Sequence, residues 1–326
     1  MSNPRQFAQA GSFEGFYLKH QNRTDTLALI PACHTDADGN RSASLQIITD
    51  KTAYQLDFGA EAITIMRSPF FVRLGGSYFS ERGCRLSCHT PGLTLEGSLR
   101  YGPWAVPATD IMGPFRYVPF MQCRHSVLSM AHTVDGYVSL NGDSLQFSDG
   151  RGYIEGDRGH SFPRRYLWTQ WSGKDRCILL SAAEIPLYGL SFTGCIGLVY
   201  DRGKELRIGT YRGARVLSAG PSSLLIRQGE LLMSADLVEA HPQPLAAPVR
   251  GGMSRTVYES AAACVRYRLM NGERLLLDFT AARAGFESSW ELKNVGKRQE
   301  TAVFLFEAYP GFTAIEYLLF CQHSYY

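Results

Sequence analysis

The sequence predicts an antiparallel all-β protein with few helices, and three observations support this fold class. Apolar and polar residues alternate with a period of two in many short stretches. Turn-forming residues separate these stretches, as at 22–25 and 36–40. Before residue 110 no stretch carries apolar residues at helical spacing. A block with this many strands is long enough to close a barrel.

The strands are predicted in two runs, on either side of a segment rich in proline, glycine and aromatic residues at 101–119. The first run comprises 13–20, 26–33, 44–49, 53–58, 62–66, 70–74, 77–80, 84–88 and 93–99. The second comprises 124–132, 152–157, 166–171, 177–184, 190–200, 205–211, 222–226, 231–237 and 275–280. The segment Met253–Arg266, with Ser254 as its N-cap, is predicted to form the one helix.

Composition narrows the classes of function. A chain of 326 residues is long enough for two domains, and a net charge of +3 without basic runs argues against a nucleic-acid partner. No apolar run approaches the roughly 18 residues of a membrane span, so no transmembrane segment is expected. Eight cysteines without a secretion signal are typical of free thiols in a reducing compartment, which predicts a cytoplasmic protein.

The most informative stretch is Gly150–Pro163 (GRGYIEGDRGHSFP). Side chains alternate between the two faces of a strand, so Tyr153, Glu155 and Asp157 are expected to share one face. On a buried face, each carboxylate would raise the proton affinity of the other, and loss of solvent would raise both. One of them could then donate a proton to an alkene near neutral pH.

A plain structural interpretation stands beside this one. Both carboxylates are equally explained as solvated groups, or as partners of the neighbouring arginines Arg151, Arg158, Arg164 and Arg165. His125 lies in another predicted strand, at 124–132, and is a candidate to take up or pass on a proton. A single histidine in a strand is equally typical of a structural residue.

The sequence predicts neither a cofactor nor a metal. It contains no phosphate-binding glycine loop, no dinucleotide fingerprint and no HExxH motif. Cys84 and Cys88 share a strand face but lie roughly 13 Å apart, which is too far to hold one ion. The aromatic residues Trp104, Tyr153, Tyr166 and Trp168 are candidates to line a site for a prenyl chain or a carbocation, and ordinary core packing is the alternative.

The chain resembles the tocopherol cyclase family over residues 11–290. The matching pieces are Ser12–Lys19 (SFEGFYLK), Pro119–His132 (PFMQCRHSVLSMAH), the Gly150–Pro163 stretch and Tyr166–Gln170 (YLWTQ), in the same order and at similar spacing. The string GYIExDxGxSFP is the specific part of the likeness. Four positions depart from the family pattern: Gln122, Phe16, Arg158 and Trp171.

The resemblance implies two lipocalin-like β-domains packed together. They are expected at 1–118 and 119–290, followed by a tail at 291–326 to which no function is assigned. It also implies redox-neutral, acid-initiated cyclisation of a prenylated hydroquinone to a chromanol inside a closed barrel, which fits the lack of cofactor motifs. Asp157 is the preferred acid, because Glu155 has the longer reach and is suited to orienting the hydroxyl. The binding residues expected are Tyr153, Trp168, Gln170, Trp104 and Tyr166.

Two other functions stay open at this stage. One is a carrier of hydrophobic small molecules that catalyses nothing, and the other is a hydratase that adds water to a carotenoid-like chain. All three functions imply a hydrophobic small-molecule partner, a prenylated phenol or a polyene. Peripheral contact with a membrane surface is compatible with each of them.

Overall fold

A computed structural model describes residues 10–118, 121–187 and 190–290. Strands dominate this part of the chain, and the only helical segments in it are short 3-10 turns at Ala60–Ala62, Gly113–Tyr117 and Thr210–Arg212. It has no helix with the length and hydropathy that a membrane span requires. None of its seven cysteines forms a disulfide.

Eleven strands form the first sheet, which is antiparallel throughout. In chain order they are β1 (Ser12–Gln21), β2 (Thr26–Thr35), β3 (Arg41–Thr49), β4 (Ala53–Gly59), β5 (Ile63–Arg67), β6 (Phe70–Leu74), β7 (Ser77–Ser80), β8 (Gly83–Thr90), β9 (Leu93–Tyr101), β10 (Cys123–Leu140) and β11 (Asp143–Gly159). Their order in the sheet is β4-β3-β2-β1-β11-β10-β9-β8-β7-β6-β5. The long β10–β11 hairpin therefore lies in the middle and joins β1 to β9.

The second sheet is also antiparallel. Its strands are β12 (Tyr166–Ser172), β13 (Arg176–Leu187), β14 (Leu190–Asp201), β15 (Lys204–Gly209), β16 (Arg215–Ala219), β17 (Ser223–Gln228), β18 (Leu231–Glu239), β19 (Gln243–Val249), β20 (Gly252–Asn271) and β21 (Arg274–Ser288). The order is β15-β14-β13-β12-β21-β20-β18-β17-β16, and β19 pairs with β20.

Both sheets curl until strands that are distant in the sheet order come into contact. In the first sheet, Phe16 of β1 packs edge-on against Phe70 of β6, with ring centroids 5.1 Å apart. In the second, the Gln228 side chain of β17 receives a hydrogen bond from Gly209 N and donates one to Arg207 O, both of β15. The predicted pair of all-β, barrel-like domains is confirmed at this level.

The curled sheets enclose one apolar core each, and a third apolar layer lies between them. Phe16, Leu18 and Ile154 belong to the core inside the first sheet. Tyr17 and Tyr153, which alternate with these residues along β1 and β11, belong to the layer between the sheets. Because β1 is covered on both faces, it is buried almost continuously instead of at every second residue.

The helix predicted at Met253–Arg266 is wrong, because this segment is part of the 20-residue strand β20. The alanines at 261–263 favour a helix by intrinsic propensity. Ala263, Val265, Tyr267 and Leu269 nevertheless follow a period of two and fill the core inside the second sheet. Pairing with β18 and β21 therefore outweighs the local preference.

The strand order in the two sheets bears on where the first domain ends and the second begins. The sequence places the boundary at 118/119, before β10. Because β10 and β11 pair with β9 and β1, we propose that the boundary falls between Gly159 and Tyr166, where the chain passes from the first sheet to the second. The tail at 291–326 lies outside the described residues.

Candidate active site

The candidate site lies between the two sheets. Tyr153, Glu155 and Asp157 share one face of β11, as the alternation predicts, and His125 of β10 lies directly opposite Asp157 in the register. This face meets the second sheet, where Trp168 of β12 donates a hydrogen bond to Glu155. The acids therefore lie outside the barrel formed by the first sheet, whereas the sequence predicts that the reaction takes place inside a barrel.

His125 bridges the two carboxylates. Its Nδ1 lies 3.0 Å from Oδ1 of Asp157, and its Nε2 lies 3.4 Å from Oε2 of Glu155. Burial by itself would lower the pKa of His125, but the two carboxylates outweigh that effect and raise the pKa to about 9. The imidazole is therefore positively charged at neutral pH and holds the two acids in place.

Glu155 is the more enclosed of the two acids, with 7% of its side chain exposed against 20% for Asp157. Tyr153 Oη and Trp168 Nε1 both donate to its Oε2, at 2.5 and 3.0 Å. Burial raises the pKa of Glu155 to about 7, although the charge on His125 opposes the shift. Within the described chain no hydrogen bond reaches Oε1. When Glu155 is neutral, we therefore expect its proton to be on this oxygen.

The second sheet contributes two further buried acids, Glu259 and Glu287, which lie opposite each other on β20 and β21. Tyr17 Oη of the first sheet donates to Glu259 Oε1 at 2.5 Å, and Tyr166 donates to Glu287. Burial raises the pKa of Glu259 to about 8 and that of Glu287 to about 7.

Lys19 is a buried cation in the same layer. Its Nζ donates to the Arg283 carbonyl of the second sheet at 2.7 Å. Burial lowers the pKa of Lys19 to about 7, against the attraction of Glu259. The site thus gathers titratable groups from both sheets, and burial brings the pKa values of four of them to about 7 or 8: Lys19, Glu155, Glu259 and Glu287.

Sequence reasoning missed Tyr17, Lys19, Glu259 and Glu287. A weak signal was present for the two acids, because each is an isolated charge beside small or apolar residues, in Glu259-Ser-Ala-Ala and Gly-Phe-Glu287. Their pairing depends on the register of β20 and β21, which shifts three times. Periodicity alone does not give such a register.

The predicted binding residues are divided between two places. Tyr166 and Trp168 lie in the layer between the sheets. Gln170 is buried further along β12 and donates to Ser172 Oγ at 2.5 Å. Trp104 lies elsewhere, beside the core of the first sheet, with its ring near those of Phe70 and His132. A binding role for each of these residues stays a prediction.

The described chain contains one group of side chains with a donor set suited to a divalent cation. It consists of His125, Glu155 and Asp157. One ligand atom from each residue lies within 4.8 Å of the other two. Imidazole with two carboxylates is a common set for zinc and other transition metals. The absence of a metal from this site, which the sequence predicts, therefore stays a prediction.

Replacing Glu155 with glutamine is expected to lower the pKa of His125 from about 9 towards the ordinary value of 6.5. The substitution removes one of the two negative charges that stabilise the imidazolium. NMR titration of the His125 ring in both proteins measures the shift. Asp157 remains in the variant, so an unchanged titration would show that Glu155 does not interact with the ring.

Two curled antiparallel sheets with a polar cluster between them define a lipocalin-like all-β protein. Among solved structures, an AttH-like protein from Nitrosomonas europaea is similar, with a TM-score of 0.52 and 11% identity over 89% of this chain and 97% of that chain. CghA matches with a TM-score of 0.53 and 11% identity over 86% of this chain and 88% of its own.

CghA crystallised with Sch210972 matches equally well, with a TM-score of 0.52 and 12% identity over 86% of this chain and 89% of that chain. No family model and no curated protein matches the chain. At these identities the structural likeness shows the shared fold.

Proposed function

We propose that the protein is an acid catalyst that cyclises a prenylated hydroquinone to a chromanol in the layer between its two sheets. The observation that carries this proposal is the environment of the Glu155 side chain. Its carboxyl group is buried against Trp168 and Tyr153, its pKa is raised by that burial, and one of its oxygens accepts no hydrogen bond from the described residues. A carboxylic acid in such surroundings remains a proton donor near neutral pH.

Glu155, and not Asp157, is the acid in this proposal, which reverses the order preferred from the sequence. Asp157 is more exposed and lies 3.0 Å from the Nδ1 of His125. Its role is to hold the imidazolium, which in turn faces Glu155 through Nε2. Asp157 and His125 are thus positioning residues for the acid.

The proposed reaction is redox-neutral, and Glu155 recovers at its end the proton that it donates at its start. The proton on Glu155 adds to the less substituted carbon of a trisubstituted alkene and leaves a tertiary cation. The ring hydroxyl oxygen then forms a C–O bond to that cation, and the hydroxyl proton returns to Glu155. The rings of Trp168, Tyr153 and Tyr17 can stabilise the cation and limit its capture by water.

Two kinds of likeness support the substrate class. The motifs GYIExDxGxSFP and YLWTQ resemble those of tocopherol cyclases, and the fold is shared with CghA, which was crystallised with Sch210972. The four departures at Gln122, Phe16, Arg158 and Trp171 bear on which prenylated phenol is accepted.

The test is to incubate the purified protein with a prenylated hydroquinone under anaerobic conditions and to analyse the extract by chromatography and mass spectrometry. A product of unchanged mass and altered retention is expected, at the same rate after treatment with a chelator. Gain of one water would instead identify a hydratase. Recovery of unaltered ligand bound to the protein would overturn the enzymatic proposal in favour of a carrier.

A further inference from the structure

Three arginines meet at one end of the first sheet, on the face opposite the acid cluster. Arg158 of β11 lies directly across from Arg124 of β10 on one side and from Glu14 of β1 on the other. Arg67 of β5 reaches Glu14 from the far edge of the curled sheet. Because side chains alternate along β11, Arg158 points away from the side of the sheet that carries Asp157.

The negative charges at this end of the sheet are already engaged. Arg67 binds Glu14 through two hydrogen bonds, of 2.7 and 2.6 Å. Asp110 lies 3.8 Å from Arg116. Arg124 donates to the Val118 carbonyl, which carries no full charge.

Arg158 has no hydrogen bond or ion pair with any residue that the structure describes, and its side chain is partly exposed to solvent. Like charges directly opposite each other on neighbouring strands are unfavourable. Partial burial and the nearby charges of Arg67 and Arg124 lower the pKa of Arg158, while Glu14 and Asp110 oppose them. Neither Arg124 nor Arg158 therefore has an ion-pair partner among the described residues, and the charge of Glu14 between them and Arg67 is shared with Arg67.

We propose that Arg158 and Arg124, flanked by the Arg67–Glu14 pair, bind the carboxylate or phosphate group of an amphipathic ligand. Guanidinium groups suit such anions because they can donate two hydrogen bonds at once. The apolar part of the ligand is inferred from the next residues on the same face. Gly156 lies two positions before Arg158, and Phe16 packs against it. The anion site thus lies where the apolar core of the first sheet ends.

Binding of decyl phosphate, measured by calorimetry below its micelle concentration, tests this proposal. The native chain should bind decyl phosphate at least about tenfold more tightly than decanol, and R158Q and R124Q should each lose that preference. R85Q is the matched control, because Arg85 is an exposed arginine on β8 of the same sheet. It should bind as the native chain does.

Competition with inorganic phosphate separates the two sources of the anion. Displacement of decyl phosphate by millimolar phosphate would indicate a site for free anions, and lack of displacement would indicate that the alkyl chain contributes. Either result supports the arginine site. Equal binding of decanol and decyl phosphate, or equal losses in R158Q and R85Q, would overturn it. Neither result depends on turnover at Glu155, so failure here leaves the proposed cyclisation unaffected.

Discussion

Replacing Glu155 with glutamine is expected to lower the rate of chromanol formation by about 100-fold to 10,000-fold, the range associated with loss of a general acid. Glutamine keeps the size of the side chain and can still accept the hydrogen bonds from Tyr153 and Trp168. It cannot deliver a proton to an alkene. Initial rates measured by chromatography, with circular dichroism as a check on folding, give the comparison.

The pH profile adds an independent readout for the same acid. Activity of the native chain should fall as the pH rises through about 7, because Glu155 then loses its proton.

Replacing Asp157 with asparagine should lower the rate less than Glu155→Gln does, by roughly tenfold. The substitution weakens the interaction that holds His125 but leaves Glu155 in place as the proton donor. Glu96→Gln, which removes a half-exposed carboxylate outside the cluster, should have native activity. Native rates in Glu155→Gln would refute the assignment of the acid.

Replacing Glu287 with glutamine is expected to change how the stability of the protein depends on pH. Burial raises the pKa of Glu287 from 4.5 to about 7, so between these values the folded state binds a proton that the unfolded state has released. The native chain therefore loses stability as the pH rises through this range. The full effect is about 3 kcal/mol for this one group.

Glutamine resembles the protonated acid and keeps an acceptor for Tyr166. The variant should match the native chain near pH 5 and be more stable by about 3 kcal/mol near pH 8.5. Urea denaturation at both pH values measures the difference, and comparing variant with native chain cancels the opposite contribution of Lys19. Glu96→Gln should keep the native pH dependence. A stability difference that is the same at both pH values would contradict the prediction.

Much of this architecture follows from local patterns. Period-two alternation and the turn residues are enough to place most strands, and alternation alone puts Tyr153, Glu155 and Asp157 on one face. His125 was a candidate on the predicted strand at 124–132, and the pairing of β10 with β11 brings it opposite Asp157, which the sequence did not predict. These features share one cause, since each depends on residues that are close in the sequence or on directly paired strands.

The remainder depends on contacts between distant parts of the chain. Tyr17 and Glu259 are separated by 242 positions, and no local pattern predicts their hydrogen bond. The helix predicted at Met253–Arg266 failed because neighbouring strands impose an extended conformation on an alanine-rich segment. Trp104 was grouped with the acids because it is aromatic, but the path of the segment after β9 places its ring beside Phe70.

The acid cluster is shared between the halves of the molecule. Glu155 comes from the first sheet, whereas the indole that covers it, Trp168, comes from the second. A fragment ending at Gly159 would retain the carboxyl group but would leave it in water, where it would ionise as an ordinary glutamate does. The raised pKa of Glu155 thus depends on the assembled pair of sheets, and neither half of the chain produces it alone.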